Sequence, residues 1–338
     1  MTFHKKLIPG IGLFAVLLGS SMISSCSKSI PSSEPLSALT PKSADANAGT
    51  WKMILLSSPS QIPIAAPVPV SDPTYQAELK AIKSGQKNIN KSEKDVIAYW
   101  SAGGVLRWNE ILRELVARAD LPPSPNSDGS YPAPDPNNPF AYPTYPFSNP
   151  PYAVRAYSYV AVAQYEALKA AWYYKFLYNR PSPYMNDNGI QSLMPATGVP
   201  SYPSEDAVEA GVNATLLTLL FPTSVDEINL KAGEQQEAIQ LSGRASASDV
   251  ATGFALGQAV AALFVARAKT DGMKAAAGSP AEWQQLVDQT VARGEIAWKS
   301  LENPPRPPML PLFGQVKAWM LTPADIVNVR SVPPPSTS

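Results

Sequence analysis

The sequence predicts an all-α fold, a helical bundle whose helices are joined by long proline-rich loops. Apolar residues recur at helical spacing in five segments, and no segment alternates apolar and polar residues over a useful strand length. Prolines number 36 in 338 residues, roughly twice their average usage. They cluster between the apolar segments, because proline interrupts a helix. With 45% apolar residues, the chain can bury a substantial core in one large or two small domains.

The first two predicted helices flank the longest irregular stretch. Residues 91–118 have apolar residues along one helical face, and Asn90 or Ser92 can cap the first turn. Residues 121–151 are rich in proline and cannot form a regular helix or a central strand. Residues 152–178 are apolar around much of the helical circumference, a pattern typical of a central, buried helix.

The third and fourth predicted helices differ in polarity. Residues 204–221 are largely apolar, with Ser204 as the N-cap and Glu205 and Asp206 near the positive end of the helix dipole. Residues 225–242 form a more polar helix, which we therefore expect to be more exposed.

The fifth predicted helix covers residues 248–269, and Ser248 or Asp249 can cap its start. Gly253 and Gly257 lie on one face of this helix. Because glycine has no side chain, we expect a neighbouring helix to approach closely at that face.

The N-terminus has the features of a lipoprotein signal peptide. Lys5 and Lys6 precede an apolar stretch at residues 7–18, which is too short to span a bilayer. The sequence Ile-Ser-Ser-Cys at residues 23–26 resembles a lipobox, and Cys26 is the only cysteine of the chain. An ordinary secretory signal with a chance cysteine is the alternative. The favoured prediction is lipidation at Cys26 and a lipid anchor that holds the protein in the bacterial cell envelope, on the periplasmic side or at the outer membrane.

Four parts of the chain follow from these features. They are a signal peptide (1–25), a flexible tether (26–49), a helical domain (50–320) and a proline-rich tail (321–338). Removing Lys5 and Lys6 from the 27 basic residues leaves 25 against 27 acidic residues, so no nucleic-acid partner is predicted. His4 is the only histidine and leaves with the signal peptide, so the predicted mature chain contains none.

Three short motifs occur in a particular order. They are KFLYNRPSP at residues 175–183, PSYPSEDA at residues 200–207 and SGR at residues 242–244. Together with the helices around them, over about residues 90–320, they resemble the type 2 phosphatidic acid phosphatase and vanadium haloperoxidase superfamily. The superfamily pattern is a Lys shortly before Arg-Pro, then Pro-Ser-Gly-His, then Ser-Arg followed by a His.

The resemblance implies a binding site for a phosphate-like anion. By position, Lys175 and Arg180 match the first motif, Ser204 matches the serine of the second and Arg244 matches the arginine of the third. Lysine and arginine hold phosphate or vanadate through charge-assisted hydrogen bonds. In the superfamily, one histidine attacks phosphorus or ligates vanadium, and another moves protons.

This chain departs from the pattern at each histidine. Glu205 and Asp206 stand where the superfamily has Gly-His, and the histidine-bearing piece after Arg244 is missing. Neither a phosphohistidine nor a vanadium–histidine bond can form, so we expect no vanadate or other metal cofactor. The sequences PSEDAVEAGVNATLLTLLFP and PLFGQVKAW look more like the first, non-catalytic bundle of two-bundle bacterial members. The resemblance therefore implies a degenerate, catalytically silent copy.

Several functional hypotheses stay open at this point. The leading one is a binding or scaffolding module for a phosphorylated ligand or a catalytic companion chain. The alternative is an active phosphatase in which Asp206 replaces histidine as the nucleophile. A gene fragment without an independent role is the third.

The same residues also have structural explanations. Glu205 and Asp206 can neutralise Lys175 and Arg180, while Asp249 can neutralise Arg244. Ser204 is explained by its N-cap role. A carboxylate pair of Glu166 with Glu209 or Asp206 can in principle act as acid and base, as in glycosidases, although buried glutamates more often satisfy core polar groups.

Overall fold

The computed structural model describes residues 36–43, 45–119, 127–128, 150–301 and 308–330. These residues contain ten α-helices and no β-strand, which confirms the all-α prediction. The helices are α1 (Pro73–Lys87), α2 (Lys91–Trp100), α3 (Gly104–Ala119), α4 (Pro150–Tyr178), α5 (Pro183–Asn186), α6 (Glu205–Leu220), α7 (Val225–Leu241), α8 (Ala247–Ala268), α9 (Pro280–Ala292) and α10 (Pro323–Arg330). The predicted signal peptide, Cys26 and most of the 121–151 stretch lie outside the described residues.

Helices α4, α6 and α8 form the centre of the bundle, and α6 packs most closely against α8. A Cβ atom on Gly257 would lie 2.2 Å from the carbonyl oxygen of Val208, and one on Gly211 would lie 2.2 Å from that of Phe254. Backbone therefore touches backbone on both helices, which confirms the close approach predicted at Gly253 and Gly257. Helix α8 is apolar and long enough to cross a bilayer by composition, and its place in this core accounts for that composition.

The prediction of one helix at residues 91–118 is wrong. The chain forms α2 and α3, separated at residues 101–103, because Gly103 adopts a left-handed conformation with φ of +106°. Asn90 caps α2, and Glu93 completes a capping box. Helix α1 was not predicted, although its buried residues Tyr75, Leu79 and Ile82 follow helical spacing.

Two further expectations need correction. Ser246, rather than Ser248 or Asp249, caps α8, because its hydroxyl accepts from the Asp249 amide while the Asp249 carboxylate accepts from the Ser246 amide. Helix α7 is polar in sequence, yet its Lys231 and Gln235 are buried in the bundle. Some polar residues of this helix therefore form hydrogen bonds inside the bundle, and others face solvent.

The segment that precedes α1 runs along α4. The Glu166 carboxylate accepts hydrogen bonds from the amides of Ile54, Leu55 and Leu56, at 2.6, 3.2 and 2.7 Å. Further toward the N-terminus, the amide of Leu39 donates to the carbonyl oxygen of Ser101 at 2.8 Å. This segment therefore contacts the bundle at two places, α4 and the end of α2.

Candidate active site

The three sequence motifs meet at the N-terminal end of α6. Lys175 lies in the last turn of α4, Ser204 is the N-cap of α6 and Arg244 lies just before α8. All three line one small pocket with Glu205 and Asp206. The tertiary structure thus brings together most of the residues that the resemblance assigns to an anion site.

Glu205 lies between the two cations of this pocket. Its Oε2 atom is 3.6 Å from the Lys175 Nζ, and its Oε1 atom is 3.3 Å from the Arg244 Nη2. Asp206 contributes a second carboxylate, 4.0 Å from the same Arg244 nitrogen. Lys175 also donates to the carbonyl oxygen of Pro200. The expected pairing of Lys175 with Glu205 is present, but the expected pairing of Arg244 with Asp249 is wrong.

Arg180 lies in a different network. Its Nε is 3.5 Å from the Asp249 Oδ1, and its Nη2 donates to the hydroxyls of Ser246 and Ser248 at 3.2 and 2.9 Å. The guanidinium stacks 4.0 Å above the Tyr75 ring of α1. The predicted partnership of Arg180 with Glu205 and Asp206 is therefore wrong, because packing of α1 and the first turn of α8 gives Arg180 its own carboxylate.

The space among Lys175, Ser204 and Arg244 is very small. Its volume is about 10 Å³, which is about what one water molecule needs. The Ser204 hydroxyl accepts from the Ala207 amide at 3.3 Å, so it serves as the predicted N-cap. A tetrahedral oxyanion such as phosphate or vanadate does not fit this space, and no histidine follows position 4 of the sequence to ligate vanadium.

Burial shifts the protonation of the carboxylates on α6. The pKa of Asp206 is raised by burial, against the opposing charge of Arg244. The pKa of Glu209 is raised well above its usual range by burial and by the nearby charges of Asp206 and Glu205. Asp249 also has a raised pKa, because its burial outweighs the charge of Arg180. The first turns of α6 therefore hold several acidic side chains close together where little water reaches them.

A second, larger cavity opens beside the same carboxylates, with a volume of about 420 Å³. It is lined by carboxylates of α6, by aromatic residues of α2 and α4, and by the N-terminal segment. The lining includes Glu205, Asp206, Glu209, Arg244, Trp100, Leu168, Trp172, Leu39, Lys42 and Asp45. Sequence reasoning did not find this cavity, because its walls come from five separate parts of the chain.

The suggested acid–base pair of Glu166 with Glu209 or Asp206 finds no support in the geometry. Glu166 is fully committed to the amides of residues 54–56, whereas Asp206 and Glu209 line the large cavity. In the described part of the chain, no group of three or more His, Cys, Asp or Glu side chains is arranged to hold a metal ion.

No protein-family model and no curated protein sequence matches the chain. Solved structures that are similar to it include two bacterial vanadium-dependent haloperoxidases. One is the first bacterial vanadium-dependent iodoperoxidase, with 16% identity, a TM-score of 0.49 and coverage of 70% of this chain and 62% of that one. The other is an apo-type bacterial vanadium-dependent chloroperoxidase, with 14% identity, a TM-score of 0.49 and coverage of 68% and 57%.

The likeness is one of fold. The chain spans about 60% of the length of these two haloperoxidases. The superfamily that the motifs predict stays a prediction, because so distant a likeness reaches no further than the helical fold. The activity and the ligand of this protein therefore have to be inferred from its own residues.

Proposed function

We propose that this protein is a catalytically silent, lipid-anchored binding protein built on a phosphatase/haloperoxidase-like helical domain. One observation supports the silence above all others: Glu205 lies between Lys175 and Arg244, two of the three cations that the superfamily pattern would turn toward an anion. The negative charge of the Glu205 carboxylate lies where a bound phosphate-like anion would place its own.

Electrostatics and size both support this proposal. A phosphate that approached Lys175 and Arg244 would meet the like charges of Glu205 and Asp206, and would have to break the ion pairs already present. Space for about one water molecule remains among these groups. Without a histidine, the site also lacks the usual nucleophile and proton carrier near neutral pH.

The alternative, hydrolysis through an aspartyl phosphate at Asp206, is opposed by the same environment. A nucleophilic carboxylate must be ionised, and burial raises the pKa of Asp206. The neighbouring Glu205 and Glu209 would also repel a phosphate substrate.

Calorimetric titration with phosphate, pyrophosphate and vanadate tests the proposal directly. We expect the wild-type protein to bind none of them at millimolar concentration, and to release no phenol from an aryl phosphate between pH 4 and 9. Saturable anion binding, or turnover that Asp206→Asn abolishes, would overturn the proposal.

A single substitution tests the role given to Glu205. Glu205→Gly introduces the residue of the superfamily pattern, removes the charge between Lys175 and Arg244, and enlarges the pocket. We expect this variant to gain measurable phosphate affinity. Asp226→Gly, which removes an exposed acid from the first turn of α7, is the matched control and should gain none. A Glu205→Gly protein that still ignores phosphate would contradict the assigned role.

A further inference from the structure

The large cavity beside α6 contains a carboxylate without a matching cation. Glu209 is only 6% exposed, and its Oε2 accepts a single long hydrogen bond of 3.4 Å from the Gln235 Nε2. Among the residues that the structure describes, no lysine or arginine nitrogen lies within 4.0 Å of this carboxylate. Burying an ionised carboxylate with so few partners costs free energy, unless a positively charged or hydrogen-bonding ligand pairs with it.

The backbone around Glu209 is shaped to admit the carboxylate. A Cβ atom on Gly104, at the start of α3, would overlap the Glu209 Oε2 at 1.6 Å. Any other residue at position 104 would therefore push the Glu209 side chain away. Gly104 and Glu209 both line the large cavity, so the carboxylate stands at the cavity wall.

The charge balance of the lining favours a cation over an anion. Asp45, Glu205, Asp206 and Glu209 line the cavity, against Lys42 and Arg244. Arg244 is already occupied by Glu205 and Asp206. The excess of carboxylates in a concave, partly apolar site raises the local concentration of positively charged ligands.

The remaining walls suit the carbon part of an organic ligand. Trp172 and Leu168 of α4 and Trp100 of α2 line the cavity. Trp100 is 2% exposed and contributes apolar ring surface to this wall. Tryptophan faces attract organic cations, and a volume of about 420 Å³ is within the range of small-molecule pockets.

We infer that this cavity binds a small organic ammonium ion, whose N–H groups donate to the carboxylates of Glu209 and Asp206 and whose carbon skeleton packs against Trp172 and Leu168. This inference rests on the binding role proposed above and names its ligand class. It does not depend on the absence of phosphatase activity. The aromatic and aliphatic walls distinguish the site from a metal site, which would need further oxygen ligands.

Benzylammonium chloride is a suitable probe, and its binding can be measured by calorimetry at pH 8. Benzyl alcohol is the neutral analogue, and potassium chloride at equal ionic strength controls for general salt effects. We expect saturable binding of benzylammonium, none of benzyl alcohol, and at least tenfold weaker binding by Glu209→Gln. Glu237→Gln removes an exposed charge from α7 and should bind as the wild type does.

Substitutions at the exposed rim give a test that does not touch the buried groups. Ala196 is exposed and lines the cavity. Ala196→Lys should weaken benzylammonium binding and Ala196→Glu should strengthen it, because the added charges act on the same ligand with opposite sign. Equal affinities for the two variants would contradict binding of benzylammonium in this cavity.

The outcomes separate this inference from the proposed function. If benzylammonium fails to bind, binds no better than benzyl alcohol, or binds Glu209→Gln unchanged, the ammonium site is overturned. Phosphate binding or aryl phosphate turnover by the wild-type protein would overturn the silence proposed above, whatever the amine does. Binding of benzylammonium without binding of phosphate supports both the ammonium site and the proposed function.

Discussion

At the scale of single residues, the buried acids of α6 and α8 link stability to pH. The pKa values of Asp206, Glu209 and Asp249 are all raised, with burial as the largest cause. A carboxyl group whose pKa is higher in the folded than in the unfolded state stabilises the fold below its unfolded pKa. That contribution is lost as the pH rises through the folded value. These three groups therefore lower the free energy of unfolding as the pH increases from about 4 toward neutrality.

Glu209→Gln should remove the contribution of Glu209 to this loss of stability at higher pH, because glutamine does not ionise. We expect the variant to melt at a higher temperature than the wild type at pH 8, by about 2–4 °C for each ~1 kcal/mol gained. At pH 4, where the wild-type glutamic acid is protonated in the folded state, the two melting temperatures should agree. Circular dichroism at both pH values measures this, with Glu237→Gln as the control. A variant less stable than wild type at pH 8 would contradict the assigned burial cost. The same variant is expected to lose amine binding, so lost binding cannot be ascribed to unfolding.

At the scale of helices, the contact between α6 and α8 depends on glycine. The backbones of the two helices touch at Gly211, Gly253 and Gly257, where a Cβ atom would lie 2.2–2.3 Å from a carbonyl oxygen of the other helix. Because the obstructing atoms belong to the backbone of a packed helix, they cannot rotate away as a side chain can.

Gly257→Ala should therefore destabilise the protein, although alanine is the better helix former. Forcing extra atoms into a packed core typically costs about 1–3 kcal/mol. Gly233→Ala is the matched control, since Gly233 lies in α7 with nothing within 4 Å of the added Cβ, and it should gain about 0.5–1 kcal/mol. Denaturant unfolding of the two variants measures the expected loss and the expected gain in the free energy of unfolding. Equal stabilisation by both substitutions would exclude a tight α6–α8 contact.

The segment before α1 depends on one side chain of α4. Glu166 accepts three amide hydrogen bonds from residues 54–56. Glu166→Ala should release this segment, so that the amides of Ile54 and Leu56 exchange with deuterium much faster, while the amides of α8 keep their protection. Glu166→Gln retains one acceptor oxygen and should show an intermediate effect. Unchanged exchange in Glu166→Ala would mean that other contacts hold the segment.

At the scale of the whole molecule, the location of the protein depends on its N-terminus. We propose that Cys26 is acylated and anchors the helical body to a membrane of the envelope, since the lipobox-like sequence ends at the only cysteine. Cys26→Ser should abolish incorporation of labelled palmitate and move the protein from the membrane to the soluble fraction of bacterial cells. Ser33→Ala, in the predicted tether, should leave both unchanged. A wild-type protein that is soluble and unlabelled would contradict the anchor.

Much of the fold was predictable from local sequence patterns. The central helices α4, α6 and α8, the Ser204 cap and the glycine face of α8 all follow from spacing and capping rules that act within a few residues. The break at Gly103 and the helix α1 were missed, because a single glycine and a mostly polar helix leave weak signals.

The sequence by itself determined an all-α body, the absence of histidine from the predicted mature chain, and the set of charged residues near the motifs. Only the tertiary structure decided which charges pair. Arg180 pairs with Asp249 and Arg244 with Glu205, the reverse of the expected arrangement around these arginines. The physical reason is that ion pairs form between side chains that packing brings within about 4 Å, and residues distant in sequence meet only when the helices assemble. The same assembly left Glu209 buried beside an open cavity, with no lysine or arginine nitrogen of the described residues within 4.0 Å of its carboxylate.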